Sequence, residues 1–333
     1  MKFSKKKILL VNNDETQLKL LHKIFYKAGY IVSDFSDYRT AYEKIISNYF
    51  DAVIVDVNYN LMEGLNLIRK IRNINKKTTI FATVGIADPK VREKVLQYGA
   101  NRYFAPPFYS DVIVNSMEFA FQQVLKENTT KKKSVGETNF VAVGIAASTG
   151  GPLTLMKIFS ELKYTKQASF FIVLHAPAWM LESYTERMNK ETDFDVLLAK
   201  DGIKIEPGKI YFAPGNFHMV INRLNKTISL NQDKPVNFVR PSADPLFKSI
   251  ASVFGSMSMA LVLTGMGHDG TAGAMHISNA GGSVIVQDPD TAVIHAMPLS
   301  VINSGLADKI VPLQEIPAAI SGSILSIVKK ANN

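Results

Sequence analysis

Apolar runs of four to eight residues alternate along this chain with longer stretches whose apolar positions recur at helical spacing, and no other feature constrains the fold as much. The first 125 residues carry five such runs: ILLV, IVSDF, AVIVDV, TIFATV and NRYFA. Helical patterns follow them at Gln17 to Ala28, Thr40 to Ser47, Leu65 to Arg72, Lys90 to Gln97 and Asp111 to Leu125. From Phe140 the alternation resumes, with FVAVGIAA, FFIVL, DVLLA, KIYFAP, MALVLTG and SVIVQD reading as strands. Helices are predicted over 152–162, Leu181 to Lys190, Pro245 to Phe254 and Thr271 to Ala280, and the C-terminus is helical. A strand apolar on both faces must be covered on both, and strand–helix–strand units achieve this by winding a parallel sheet between two helical layers. The expected class is therefore α/β, with two doubly wound parallel-sheet domains over residues 1–125 and 140–333. VINRLNKTISL reads as a hairpin, so an antiparallel excursion is expected within 203–230. Residues 126–139, KENTTKKKSVGETN, have no apolar period and read as an exposed linker.

A chain of 333 residues has room for two hydrophobic cores. Its net charge of +9 is uneven. Residues 1–125 hold 18 Lys and Arg against 12 Asp and Glu, whereas residues 140–333 hold 16 against 15. A nearly neutral second domain argues against a nucleic-acid substrate. The basic surplus of the first domain is a solvated face or an aid to docking an acidic partner. No apolar run approaches the roughly 18 residues of a membrane span. The basic start, MKFSKKKILLVNN, has too short an apolar part for a signal peptide. The absence of cysteine excludes disulfides and thiolate chemistry and accords with a cytoplasmic setting.

Ligands of parallel sheets bind at the carboxyl ends of the strands, and three polar groups stand there in the second domain: Ser148, His175 and Asp269. Ser148 ends FVAVGIAA and precedes Thr-Gly-Gly-Pro, a sharp turn into a helix with small neighbours, which is the address of an exposed nucleophile. Serine, histidine and carboxylate are the groups acyl transfer needs as nucleophile, proton carrier and orienting anion. Each has a plainer role available: Ser148 or Thr149 can cap the helix that follows, and Asp269 can cap the helix near Thr271. The other histidines, His22, His218, His268, His276 and His295, carry no comparable signal. A rival is the formal G-x-G-x-x-G of Gly265 to Gly270, with Asp288 where a ribose-binding acid would lie. It leaves Ser148 and His175 without a task and sets Asp269 against a pyrophosphate.

The second domain resembles the CheB-type chemotaxis protein-glutamate methylesterases through AASTGGP, LHAPAWMLESYTERM, PGKIYFAPGNFHMV, RPSADPLFKSIA, LVLTGMGHDGTAG and GGSVIVQDPDTAVIHAMP. The resemblance implies Ser148 as nucleophile, His175 as general base and then acid, Asp269 as orienter, and the Met266 backbone N–H as an oxyanion donor. Leu174 and Ala176 depart from the family's usual flanks of the histidine. The implied activity is hydrolysis of glutamate γ-methyl esters on chemoreceptor cytoplasmic helices, releasing methanol, without a cofactor; some members also deamidate receptor glutamine. The implied partners are the cytoplasmic domains of chemoreceptors. The alternative is a non-catalytic regulator that only docks on receptors.

The first domain resembles a two-component receiver of flavodoxin-like fold through DAVIVDVNYNLMEGLNLIRKIR and QYGANRYFAPPF. Asp56 stands at the phospho-acceptor position and Gly64 at the later loop glycine. Receivers use Mg²⁺ held by an acidic pair and a histidine kinase as partner. Here Asn12 and Asn13 replace the pair, unless a one-residue slip brings in Asp14; Val84 aligns with the hydroxyl position although Thr83 adjoins it, and Pro106 replaces the lysine. Amides are poorer Mg²⁺ ligands than carboxylates. The expectation is a pseudo-receiver, with Mg²⁺ and kinase needed only if Asp56 is phosphorylated. The family's receiver covers the active site until phosphorylation relieves the block.

Overall fold

The computed structural model describes residues 5–85, 89–126 and 140–331, which form two compact units. In the first, β1 (Lys7–Val11), β2 (Ile31–Phe35), β3 (Ala52–Asp56), β4 (Thr79–Thr83) and β5 (Arg102–Phe104) make one parallel sheet ordered β2-β1-β3-β4-β5. Five helices join and flank the strands: α1 (Glu15–Lys27), α2 (Tyr38–Ser47), α3 (Leu61–Ile74), α4 (Pro89–Gln97) and α5 (Ser110–Lys126). Period-two alternation divides the core. Leu9, Val53 and Val55 pack with Leu65, Ile68 and Ile71 of α3, while Ile8, Leu10 and Ile54 pack with Phe25 of α1 and Met117 of α5. This is the expected flavodoxin-like winding. The linker expected over residues 126–139 lies, beyond Lys126, outside the described residues.

One position is corrected here. The α3 helix begins at Leu61, because Asn60 caps it by accepting the Glu63 N–H at 3.2 Å. Gly64 therefore sits in the first helical turn and not in a loop. A Cβ at Gly64 would come within 2.7 Å of the Asp56 carbonyl oxygen, so glycine allows α3 to close on the end of β3.

The second unit contains β6 (Val141–Ala147), α6 (Gly151–Glu161), β7 (Ala168–Leu174), α7 (Ala178–Glu191), β8 (Asp195–Leu198), β9 (Lys209–Phe212), β10 (His218–Ile221), β11 (Ile228–Asn231), α8 (Ala243–Phe254), β12 (Ser258–Val262), α9 (Thr271–Asn279), β13 (Ser283–Gln287), α10 (Ala296–Asn303), β14 (Lys309–Val311) and α11 (Ile316–Ala331). Seven strands form a parallel sheet ordered β14-β13-β12-β6-β7-β9-β8. The first strand, β6, lies mid-sheet, and the chain builds to one side of it before returning to the other. That reversal of strand order makes the crevice beside the end of β6 the expected ligand site.

The antiparallel excursion lies close to the expected 203–230: β10 and β11 pair as the predicted hairpin and Lys204 bridges Thr227 antiparallel, while β9 runs parallel to β7 and β8. The short edge strand β14 was hidden in the C-terminal helical pattern, where three residues are too few for a period of two to show. The α8 helix starts two residues before the predicted Pro245, with Ser242 accepting the Asp244 N–H as its cap.

Candidate active site

Adjacent parallel strands lie about 4.8 Å apart, so residues in register at their ends are neighbours. Ala147 of β6 is in register with Leu174 of β7, and the His175 N–H donates to the Ala147 carbonyl at 3.0 Å. Ser148 and His175 therefore leave the sheet side by side. On the other side of β6, the Ser148 N–H donates to the Thr264 carbonyl at 3.0 Å, tying the serine to the loop after β12. A Cβ on Gly265 of that loop would stand 2.7 Å from Ser148 Cβ and collide with Met297 Sδ, so glycine there leaves the serine its place.

The turn after Ser148 depends on Gly150, whose φ of +81° suits glycine and which caps α6 with no side-chain hydrogen bond. The Gly151 N–H donates to the Ser148 carbonyl at 2.7 Å. Neither Ser148 nor Thr149 is the cap, which removes the plainer reading of the hydroxyl. Asp269 does not cap α9 either: Gly270 does, again without a side-chain bond.

Asp269 instead reaches back across the sheet. Its Oδ2 accepts from His175 Nε2 at 2.9 Å and from the Ala243 N–H at 2.7 Å. Its Oδ1 accepts from Ser242 Oγ at 2.5 Å, Asn237 Nδ2 at 3.2 Å and the Asp244 N–H at 3.4 Å. The carboxylate is 2 % exposed and lies at the N-terminus of α8, where orphan N–H groups and the helix dipole favour an anion. Burial pushes the Asp269 carboxyl up, but the hydrogen bond and charge of His175, with the Ala243 N–H and Ser242 hydroxyl, hold it below the ordinary carboxylate value. With Nε2 donating to Asp269, Nδ1 is the imidazole nitrogen left to take a proton.

The approach of the β12–α9 loop is fixed by the Gly265 N–H, which donates to the Ile294 carbonyl at 2.9 Å, and by the Met297 N–H, which donates to the Gly265 carbonyl at 3.0 Å. Among the described residues the Met266 and Thr149 backbone N–H groups form no hydrogen bond, leaving both amides for an outside acceptor. The Met266 side chain is exposed, as is Trp179 in the first turn of α7. Ser242, Ala243 and Asn237 were missed in the sequence. Ser242 and Ala243 fall within RPSADPLFKSIA, one of the stretches that carry the resemblance, and Ser242 precedes Ala-Asp-Pro in a helix-start pattern, but neither signal gave them a task, and Asn237 lay outside both.

The rival dinucleotide reading loses its acid: Asp288 accepts the Asp290 N–H at 3.0 Å and caps a 3₁₀ turn. Asp269, committed to α8 and His175, would also repel a pyrophosphate at that helix end. Two of the unassigned histidines have packing roles. His218 is buried, with Nδ1 accepting the Ser242 N–H at 3.1 Å and Nε2 on the Lys234 carbonyl at 3.2 Å. For His276 burial, with the charge of Lys248, pushes the imidazole down from its ordinary value.

In the first unit Asp56 ends β3 and is 2 % exposed. Asn58 Nδ2 at 2.8 Å and Thr83 Oγ1 at 3.0 Å donate to its Oδ1, and the N–H groups of Asn58 at 3.2 Å and Tyr59 at 3.3 Å donate to its Oδ2. Thr83, not Val84, thus brings the hydroxyl to Asp56, so that part of the receiver pocket is kept. The acidic pair is not. Asn12 is buried with its Oδ1 on the Asp14 N–H at 2.8 Å, and Asp14 is exposed and caps α1 through the N–H groups of Thr16 and Gln17. The slip that would bring in Asp14 does not occur. Pro106 stands at the lysine position, joined to Pro107 by a cis peptide bond. Burial pushes the Asp56 carboxyl up, only partly offset by hydrogen bonds from Thr83, Tyr59 and Asn58. One carboxylate already engaged through both oxygens, beside two amides, does not fit Mg²⁺, which binds through carboxylate and phosphate oxygens. No group of three or more His, Cys, Asp or Glu among the described residues could hold a metal ion.

Family models of the response regulator receiver domain and of the CheB methylesterase match residues 8–118 and 143–320, respectively. A protein-glutamate methylesterase/protein-glutamine glutaminase of Pyrococcus horikoshii is 33 % identical over 85 % of this chain and 83 % of its own length. A relative of the same name from Bdellovibrio bacteriovorus is 29 % identical over 98 % of both chains. The crystal structure of the Thermotoga maritima CheB methylesterase catalytic domain is matched over 99 % of its length and 58 % of this chain, at a TM-score of 0.52 and 34 % identity. With a methylesterase model spanning more than half of it behind a receiver, this chain belongs to the CheB methylesterase family.

Proposed function

We propose that this chain hydrolyses glutamate γ-methyl esters on the cytoplasmic helices of chemoreceptors, releasing methanol, with Ser148, His175 and Asp269 as its catalytic residues. The observation that carries the reading is the buried Asp269 carboxylate bonded to His175, which stands in register beside Ser148. Ser148 Oγ attacks the ester carbonyl carbon while His175 Nδ1 takes the hydroxyl proton, and the Met266 N–H faces the oxygen that becomes negative. His175 then passes that proton to the departing methoxide, which leaves as methanol. Water attacks the resulting acyl-serine with His175 again as base, which frees glutamate and restores the serine. Asp269 holds the imidazole with Nε2 as its donor and stabilises the cation formed in each half-reaction. The same acyl-serine forms from glutamine with ammonia as leaving group, so deamidation needs no further residue.

The exposed Met266 and Trp179 side chains beside the catalytic loops suit a macromolecular substrate. The esterase needs no cofactor. The first unit acts as a docking and regulatory module in which Asp56 is a relic, so a chemotaxis histidine kinase would be a binding partner without transferring phosphate. No helix of the described residues is long and apolar enough to cross a membrane, and the work is assigned to the cytoplasm, where the receptor helices are. Methanol release from a methylated chemoreceptor cytoplasmic fragment is the test. Ser148→Ala should lower the rate by several powers of ten. An unchanged rate would leave only a receptor-docking role.

A further inference from the structure

Of the donors on Asp269, one comes from a segment that neither follows it, caps α8 nor carries a catalytic group. Asn237 lies in the loop before α8, in a turn closed by the Val236–Val239 bridge. Its Nδ2 donates to Asp269 Oδ1 at 3.2 Å and to Asp244 Oδ2 at 2.7 Å, so both amide hydrogens are spent on buried carboxylates. Asp244 Oδ1 in turn accepts the Gly273 N–H of α9 at 2.6 Å. The amide thus spans two acids that would otherwise repel each other, and it ties the first turn of α8 to the loop that leads into α9.

Asn237 acts on the oxygen of Asp269 that does not face His175. With Oδ1 held by Asn237 and Ser242, the carboxylate cannot rotate, and Oδ2 stays aimed at His175 Nε2. The backbone supports this purpose. Asn237 has φ of +53° and Phe238 has φ of +64°, two consecutive residues in the left-handed region. Asparagine tolerates that region, but a bulky residue rarely enters it. Phe238 is fully exposed, so its ring packs on nothing that would hold it there. Two consecutive left-handed residues are what a two-residue hairpin turn requires, and the Val236–Val239 hydrogen bonds at 3.2 and 3.0 Å close that turn, which presents the Asn237 amide to Asp269 and Asp244.

We propose that Asn237 is a positioning residue for the hydrolysis, holding the Asp269 carboxylate in the orientation that His175 requires. This rests on the triad reading above. Two variants of the full chain separate the amide from the turn. Asn237→Gly keeps the left-handed backbone and removes the donor, whereas Asn237→Asp keeps the shape and turns the donor into an acceptor. Phe238→Gly alters the same turn without touching the amide. Methanol release from a methylated chemoreceptor cytoplasmic fragment should show kcat lowered about 10- to 100-fold in both Asn237 variants, the worth of one charge-assisted hydrogen bond, with KM near wild type. Phe238→Gly should keep kcat. The downfield proton resonance of His175 Nε2–H on Asp269 should move or broaden in the Asn237 variants alone. A wild-type kcat in either folded Asn237 variant, a change confined to KM, or an equal loss in Phe238→Gly overturns the proposal. Ser148→Ala is measured alongside. If it keeps full activity the hydrolase reading itself fails, whereas if it is inactive while the Asn237 variants keep kcat, only the positioning role fails.

Discussion

Asp269 and Asp56 are equally buried carboxylates whose surroundings move them in opposite directions. Asp269 has an imidazole partner and a helix N-terminus, and its carboxyl is held below the ordinary value near 3.8. A depressed native value means that the unfolded chain binds more protons in the acid range, so stability rises with pH there. The contribution of Asp269 is therefore present above pH 3.8 and is lost as pH falls through its lower native value. Urea titrations across that window should show the wild type losing stability on acidification relative to Asp269→Asn. The same variant should lower kcat by about 10⁴-fold, since an amide in place of the carboxylate selects the wrong imidazole tautomer. For Asp56 the sign reverses. Its raised value means that the folded unit keeps a proton that the unfolded chain has released, so its contribution falls as pH rises above 3.8.

The element that sets the site is α8, whose RPSADPLFKSIA stretch carries the family resemblance but to which the sequence assigned no catalytic group. Its N-terminus supplies three donors to Asp269, and its body packs against the middle of β6. Gly144 of β6 is where they meet: a Cβ there would come within 2.6 Å of the Phe247 ring and 3.0 Å of Ile250 Cδ1. Gly144→Ala overpacks this contact and should cost about 1–3 kcal/mol. The urea midpoint of the second unit checks it. A helix pushed off β6 also moves the donors of Asp269, so methanol release should fall with stability.

At the scale of the whole chain, the question is what a receiver does for an esterase when it has lost its acidic pair and its lysine. Thr83 survives beside Asp56, but Asn12, Asn13 and Pro106 cannot replace the charges that phosphoryl transfer uses. Incubation with acetyl phosphate and Mg²⁺ should give no Asp56-dependent band on Phos-tag electrophoresis. The methanol-release rate of the full chain should be the same with and without acetyl phosphate. A stoichiometric band that disappears in Asp56→Asn would restore an ordinary receiver. The rate of residues 140–333 against that of the full chain measures how far the first unit restrains the second, and equal rates mean no restraint.

The sequence by itself determined the class, the two sheets and the family, because apolar period and chain order are local properties. It also singled out Ser148 and His175 at strand ends, and Asp269, which the structure places not at a strand end but in the loop seven residues beyond β12. It did not decide between cap and catalytic group, since a hydroxyl or carboxylate before a helix reads the same in either role. Tertiary structure decided that: glycines cap α6 and α9, so Ser148 and Asp269 are free of the task. Nor did the sequence show Asn237, Ser242 and Ala243 around Asp269, or Thr83 on Asp56. Those partners lie 26 to 32 residues away in the chain, and only the winding of the sheets and the packing of α8 bring them within hydrogen-bond reach.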